Sequence, residues 1–295
     1  MADSLDRARV SDLPKAGVAV VTSFMVRFWG VRGSIACPGP QYVRYGGNTS
    51  CVEARVGNRL LIFDGGTGLR PLGDRLAQEG PVDGDLFLSH THVDHIQGLP
   101  FFKPFFMPQN RFRVWAGHLV PYMKLRDVLC KYMADPLFPV PPEIFAAEVE
   151  YNDFAVGEPL EIVPDAVLRS APLNHPQGAT AYRLDHGGKS LCYVTDTEHT
   201  EGHSDARILR LVANADVMIY DSTYTDEEYP RYRGWGHSTW QEALRLAERA
   251  GVRKVVLFHH DPSHDDEAMD RIAEAAERQR PGTLVAREGM ELSLL

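Results

Sequence analysis

Hydrophobic positions in this chain fall into short extended runs bounded by turn residues, with stretches of helical spacing between them. V-R-F-W over 26–29 reads as a strand, and Gly46-Gly47-Asn48-Thr49-Ser50 turns the chain into a second over 51–56. Gly57-Asn58 marks a hairpin before a strand over 60–63, which Asp64-Gly65-Gly66-Thr67-Gly68 closes. A helix is predicted over 69–78, then a strand over 86–89 around the apolar run Leu86-Phe87-Leu88. F-F-K-P-F-F over 101–106 holds a single lysine, and reads as core and pocket wall rather than a platform for stacking nucleic acid. A strand over 112–116 and a helix over 123–133 follow. Pro136-Leu137-Phe138-Pro139-Val140-Pro141-Pro142 is too rich in proline for regular structure, and is open to reading as a lid or a dimer contact.

The alternation continues to the C-terminus. Strands fill 159–194, interrupted by Asn174-His175-Pro176 after a strand over 167–173, and a strand over 191–195 ends in Asp196. A helix over 205–213 precedes a strand over 217–220, which runs into Asp221. Ser238 and Gln241 stand at capping-box spacing before an amphipathic helix ending at Ala250. The strand over 254–258 delivers His259-His260, and Asp265, Asp266 and Glu267 suit the first turn of a last helix. No repeat, low-complexity tract or linker breaks the pattern. Residues 25–295 are therefore expected to form one domain, and 1–24 a poorly ordered N-terminal extension.

Chemistry gathers at the strand ends. After the run at 86–89, metal-binding side chains crowd together as His90, His92, Asp94 and His95. In an extended chain His90 and His92 leave the same side and can share an ion. Asp94 and His95 fall where the chain turns into a short helix and aim a second pair at a neighbouring point. A single ion would leave some of these ligands idle, so two are expected. The glycine-rich loop after Asp64 has no following lysine and no G-x-G-x-x-G spacing, which excludes a nucleotide-binding fingerprint.

The H-x-H-x-D-H pattern closely resembles the signature of the metallo-β-lactamase fold superfamily. The resemblance runs in order along nearly the whole chain. It implies an α/β fold, a four-layer αββα sandwich of two mixed β-sheets flanked by helices, with ions at one edge where strand ends converge. It also implies His90, His92 and His175 on one ion, Asp94, His95 and His259 on the other, and Asp196 between them. His260 is the fallback for His259. Asp64 matches an aspartate that orders the metal-binding loop from behind the ligands. Imidazole and carboxylate without thiolate suit Zn²⁺, and Mn²⁺ or Fe can occupy the same set. Gly236-His237-Ser238-Thr239 looks like the H-S-T motif of the ribonuclease Z and phosphodiesterase branch. There a histidine that holds no metal faces the scissile phosphate, and Asp221 matches the acid that orients it. A histidinium steadied by a carboxylate can protonate an alkoxide leaving group or stabilise its charge. Asp94, His237 and Asp221 are thus the expected catalytic group. Ser238, as helix N-cap, would leave free amides near a phosphate oxygen. Arg32 and Asn48 are further candidates for contacting the phosphate, with a structural role in the N-terminal loop equally open.

Composition narrows the substrate. The formal charge is −9, unlike the basic footprint of a surface that grips long nucleic acid, and no basic, glycine-rich arm of the ribonuclease Z kind is apparent. F-W-G-V-R-G-S, Tyr45-Gly46-Gly47-Asn48-Thr49 and G-W-G-H-S-T resemble the bacterial metal-dependent phosphodiesterase-like group. The expected activity is that of a dinuclear metal-dependent hydrolase acting on a small phosphodiester, a cyclic nucleotide first, through a hydroxide shared by the ions. The alternatives are an RNA 3′-end endonuclease of ribonuclease Z type and a nucleotide-binding sensor with little turnover. A lactonase or β-lactamase stands further off, since it would leave His237 without a role. No apolar run approaches the ~20 residues of a spanning helix. The N-terminus makes a poor signal peptide, and four cysteines without C-x-x-C spacing read as buried thiols. A cytoplasmic protein with no membrane partner is expected, and the resemblance also allows a homodimer.

Overall fold

The structure, a computed structural model, describes residues 23–163 and 166–295. All but the last two residues of the expected extension 1–24 lie outside them. Within the described residues, β1 (Phe24–Gly30), β2 (Cys51–Val56) and β3 (Arg59–Phe63) form an antiparallel meander. β4 (Asp83–Leu88), β5 (Arg111–Ala116) and β6 (Glu148–Asp153) extend it as parallel strands. A second sheet begins with the antiparallel β7 (Leu160–Val163), β8 (Ala166–Leu173), β9 (Ala179–His186) and β10 (Lys189–Val194). β11 (Val217–Asp221), β12 (Lys254–Phe258) and β13 (Leu284–Val285) then run parallel to β10. β14 (Glu291–Ser293) returns to the first sheet and pairs with β1, so that each sheet has seven strands.

Side chains sort by the two-residue period of the strands into three apolar layers. On β3, Leu61 and Phe63 join the layer between the sheets, while Leu60 and Ile62 pack with α1 (Leu69–Leu76). On β12, Val256 and Phe258 face the other sheet. Its alternate residues Val255 and Leu257 meet α4 (Ala206–Val212), α5 (Trp240–Ala250) and α6 (Asp266–Gln279). Strands covered on both faces need apolar residues at every position, which is why the sequence shows continuous runs such as Leu86-Phe87-Leu88. The two mixed sheets with helices outside are the expected αββα sandwich.

Local differences from the sequence reading have simple causes. β1 starts at Phe24 rather than 26. The pattern gives no signal for β6, an edge strand with charged residues at alternate positions, nor for β13 and β14, too short to show a period. Phe102 and Phe105 are core residues, whereas Phe101 and Phe106 are exposed. The proline-rich stretch adopts no regular structure before the short 3₁₀ turn Pro142–Ile144. No helix among the described residues is long and apolar enough to cross a membrane.

What this architecture does for the site is bring the carboxyl ends of parallel strands from both sheets to one edge, the usual place for a ligand in such folds. Two bonds lock the sheets together beneath that edge. Tyr182 OH donates to the Leu88 carbonyl at 2.6 Å, and the Thr180 N–H to the Ser89 carbonyl at 2.8 Å.

Candidate active site

His90 and His92 follow β4, Asp94 and His95 lie on the short helix α2 (Val93–Ile96), His175 follows β8, Asp196 follows β10 and His259 follows β12. Their polar atoms converge. Asp196 Oδ1 lies 3.3 Å from both His95 Nε2 and His259 Nε2, and its Oδ2 lies 3.6 Å from His90 Nε2 and 3.7 Å from His175 Nε2. One carboxylate thus turns one oxygen to each of two imidazole sets. Asp94 Oδ2 completes the first set, 3.2 Å from His95 Nε2 and 3.5 Å from His259 Nε2. His92 Nδ1 completes the second, 3.1 Å from His175 Nε2. The structure therefore brings all the sequence-predicted ligands together, as His90, His92 and His175 on one side and Asp94, His95 and His259 on the other. Asp196 and His259 turn sharply off their strands in the left-handed region, with φ of 57° and 62°, a strained choice for such residues that re-aims the side chain.

Each imidazole is fixed by its other nitrogen. His90 Nδ1 meets Ser89 Oγ at 3.0 Å, His95 Nδ1 meets Asp64 Oδ2 at 2.8 Å, His259 Nδ1 meets Thr223 Oγ1 at 3.0 Å, and His175 Nδ1 meets the Gly236 carbonyl at 2.8 Å. A proton held on Nδ1 leaves the Nε2 lone pair for the cluster. His92 is reversed, with Nε2 on Gln177 Oε1 at 3.0 Å and Nδ1 facing inward. Glycines make room for the rings. A Cβ on Gly33 would fall 2.5 Å from the His259 ring, and one on Gly236 2.2 Å from His175 Nδ1.

These residues fit a pair of divalent cations. Nε2 of His90, of His95 and of His259 is buried with no hydrogen-bond partner, an arrangement that costs stability unless something else takes the lone pairs. Two donors each ~2.1 Å from a tetrahedral ion sit about 3.4 Å apart, inside the 3.1 to 3.7 Å spread of the contacts above. Burial, helped by the neighbouring His95, pushes His90 well below the usual imidazole range and keeps it neutral, as a ligand must be. Burial would raise Asp94 and Asp196, but the surrounding imidazoles hold both well below the usual carboxylate range.

Comparison with known proteins places this arrangement. Residues 59–260, more than half of the chain, match the beta-lactamase superfamily domain. The chain belongs to the beta-lactamase superfamily. Within that superfamily it is a metal-dependent hydrolase related to ribonuclease Z and phosphodiesterase-like members. The ribonuclease Z of Gemmatimonas aurantiaca is 32% identical over 138 residues, which span 47% of this chain and only 40% of that protein. The ribonuclease Z of Halorubrum lacusprofundi is 27% identical over 266 residues, covering 76% of this chain and 84% of the relative. Among solved structures, the short form of human tRNase Z has the same fold, with a TM-score of 0.65, 19% identity, and coverage of 92% of this chain and 99% of that one.

Beside the ligand sets of this superfamily member stands a further pair. His237 Nδ1 lies 3.1 Å from Asp221 Oδ2, and the His237 ring stacks on that of His259 at 4.9 Å between centroids. Asp221 is fully buried and also accepts from the Thr197 and Thr223 amides, each at 3.1 Å, and from Thr223 Oγ1 at 2.7 Å. Burial would lower the His237 pKa, yet Asp221, with Asp196 and Asp94 behind it, pushes it up to about 9. Asp64 is enclosed as well, with φ 61°, and accepts from the Ser89 amide at 2.7 Å and from Ser89 Oγ, His95 Nδ1 and Tyr193 OH at 2.8 Å each.

The expected phosphate contacts fare differently. Arg32 is fully buried, its Nε donating to the Gly46 carbonyl at 2.8 Å and its Nη1 to those of Asp261 and His264 at 3.2 and 2.6 Å. A guanidinium enclosed in this way does not reach a substrate. Asn48 is tied to Glu288, through its side-chain amide at 3.0 Å and its backbone N–H at 2.6 Å. Ser238 is not the helix N-cap, because Thr239 Oγ1 accepts the Glu242 N–H at 3.1 Å, and Ser238 is buried with its Oγ 2.9 Å from His199 Nδ1. His260 turns away from the cluster, its Nε2 on the Ala286 carbonyl at 2.9 Å. Sequence reasoning missed Ser89, Thr223, Gln177 and Glu198. All four lie within two residues of a candidate ligand or of Asp221, which is the signal that could find them. Glu198 accepts from the Gly234 and Gly236 amides, each at 2.8 Å, and so braces the loop ahead of His237.

Proposed function

We propose that the protein hydrolyses phosphodiesters at a dinuclear metal centre, the 3′ end of an RNA precursor being the substrate that its relatives favour. The observation carrying this reading is the Asp221–His237 pair. Both residues lie within ligand reach of Asp196 and His259, but at 3.1 Å they bond to each other, which leaves His237 Nε2 to meet a substrate. A sensor without turnover has no leaving group and so no use for such a proton donor, and the Gly236-His237-Ser238-Thr239 sequence that carries it resembles the ribonuclease Z and phosphodiesterase branch rather than a lactonase or a β-lactamase.

In this reading His90, His92 and His175 would hold one ion, Asp94, His95 and His259 the other, and Asp196 both. Zn²⁺ suits the imidazole and carboxylate donors, with Mn²⁺ or Fe compatible. Two such ions would supply Lewis acidity to the phosphoryl group and an ionised water as nucleophile. Asp94, held by the Ser34 N–H at 2.8 Å, orients the attacking water. His237, protonated on both nitrogens and steadied in that charged form by Asp221, gives its Nε2 proton to the departing alkoxide and keeps its Nδ1–H, which Asp221 accepts as a hydrogen bond. Asp64 and Ser89 keep the imidazoles of His95 and His90 in their ligating orientation.

A small phosphodiester such as a cyclic nucleotide is the second reading, favoured by the formal charge of −9, which is ill-suited to a long polyanion. The test is turnover by metal-reconstituted protein of bis-p-nitrophenyl phosphate, a panel of cyclic nucleotides and a 3′-extended tRNA precursor. Cleavage of the precursor supports the endonuclease. Hydrolysis of the small diesters with the precursor left intact supports the second reading, and inactivity on all of them with both metals bound removes the phosphodiesterase.

A further inference from the structure

The loop that brings His237 to the site also carries a tryptophan that the reaction above does not use. Of the four tryptophans, Trp240 is buried, Trp29 and Trp115 are half-buried, and Trp235 is 62% exposed. An indole left in water gives up the burial that such a side chain normally gains. Trp235 does not sit on a loose tip. Its N–H donates to the Tyr232 carbonyl at 3.1 Å, Glu198 holds the amides on either side of it at 2.8 Å, and the next carbonyl, that of Gly236, receives His175 Nδ1 at 2.8 Å.

Behind the indole, a series of rings leads back to the metal cluster. Trp235 meets Tyr232 edge-on at 5.5 Å, and Tyr232 lies flat against Tyr224 at 4.4 Å. Tyr224 meets His237 edge-on at 6.1 Å, and His237 stacks on His259 at 4.9 Å. The result is an exposed aromatic face on a braced support, two residues from the proton donor. Arg233 on the same loop is exposed and paired with Glu201 at 2.5 Å, so the ring stands beside a charge-balanced pair.

We propose that Trp235 is the platform on which a base of the substrate stacks, making the enzyme selective for nucleotide phosphodiesters over other phosphate esters. This rests on the phosphodiesterase reading. Every base has a π-face, so a stacking platform distinguishes nucleotide from non-nucleotide without choosing among bases.

The experiment is calorimetric titration of the metal-loaded protein with AMP and with ribose 5-phosphate, which differ by the base. Loss of one stacked base weakens binding about 5- to 150-fold. Trp235→Ala should therefore bind AMP at least about fivefold more weakly and ribose 5-phosphate as the wild type does, while Trp235→Phe keeps most of the AMP affinity. AMP should also quench indole emission in the wild type but not in Trp235→Phe. Equal AMP affinity in Trp235→Ala and wild type, or equal weakening of both ligands, overturns the platform. Failure of the wild type to bind AMP overturns it as well, and turnover of bis-p-nitrophenyl phosphate in the same preparation decides separately whether the phosphodiesterase reading falls with it.

Discussion

Asp64→Asn isolates the contribution of one buried carboxylate. Asparagine has nearly the same shape and tolerates the left-handed backbone at φ 61°, so conformation and volume are conserved. The change is in acceptor capacity. Asp64 Oδ2 takes Ser89 Oγ, His95 Nδ1 and Tyr193 OH, while Oδ1 takes the Ser89 N–H. An amide with its oxygen in the Oδ2 place turns its NH₂ against that N–H, leaving a buried backbone donor unpaired at about 1–3 kcal/mol. The opposite orientation sets NH₂ against His95, which then loses its partner or moves its proton to Nε2 and blocks the lone pair facing the cluster. The expected result is a metal-free protein melting roughly 3–5 °C lower, from ~2–3 kcal/mol in a chain of this size, and metal affinity down about 10- to 100-fold. Circular dichroism melting of the apoprotein and chelator competition measure the two effects. A lowered Tm with unchanged metal affinity would refute the reasoning, because Asp64 would then support the loop without acting on His95.

His237→Ala should lower kcat by about 10²- to 10⁴-fold with both metals retained, and unchanged phosphodiesterase turnover would remove its role as acid. Asp196→Ala should lose metal by elemental analysis, whereas full occupancy of both ions would exclude the bridging assignment. Glu228 responds to pH in a defined direction. Burial would raise it, but His264, with the Thr225 amide, lowers it from 4.5 to about 2. A folded value below the unfolded one contributes stability that is present above pH 4.5 and lost as the pH falls towards 2. Glu228→Gln should flatten the acid limb of urea unfolding in that window, and an unaltered slope would show that the His264 contact adds nothing.

The candidate site is legible in the sequence where its residues are close together or end an apolar run. His90, His92, Asp94 and His95 declare themselves by crowding, whereas Asp196 and His259 end apolar runs and are singled out as ligands by the superfamily resemblance. Arg32 is misleading for a physical reason, since the carbonyls that enclose it at 261 and 264 lie more than two hundred residues away and no local pattern announces them. The cap of α5 is ambiguous by one position. Ser238 with Gln241 and Thr239 with Glu242 are overlapping capping boxes, and only the burial of Ser238 against His199 selects the second. The edge strands β6, β13 and β14 have no apolar face of their own sufficient to mark them, so only pairing with their neighbours in the sheets defines them.

The two candidate ligand sets, interleaved between the sheets, also give the site a history along the growing chain. His90, His92, His175 and Asp196 are all present once residue 196 has been made, whereas Asp94, His95 and Asp196 wait for His259. The same late segment supplies β14, without which β1 keeps an open edge. A chain cut short between 196 and 259 would therefore carry one full ligand set and one lacking its last imidazole. Two ions bound as proposed would find the first ligand set complete well before the second, which closes only in an almost finished protein.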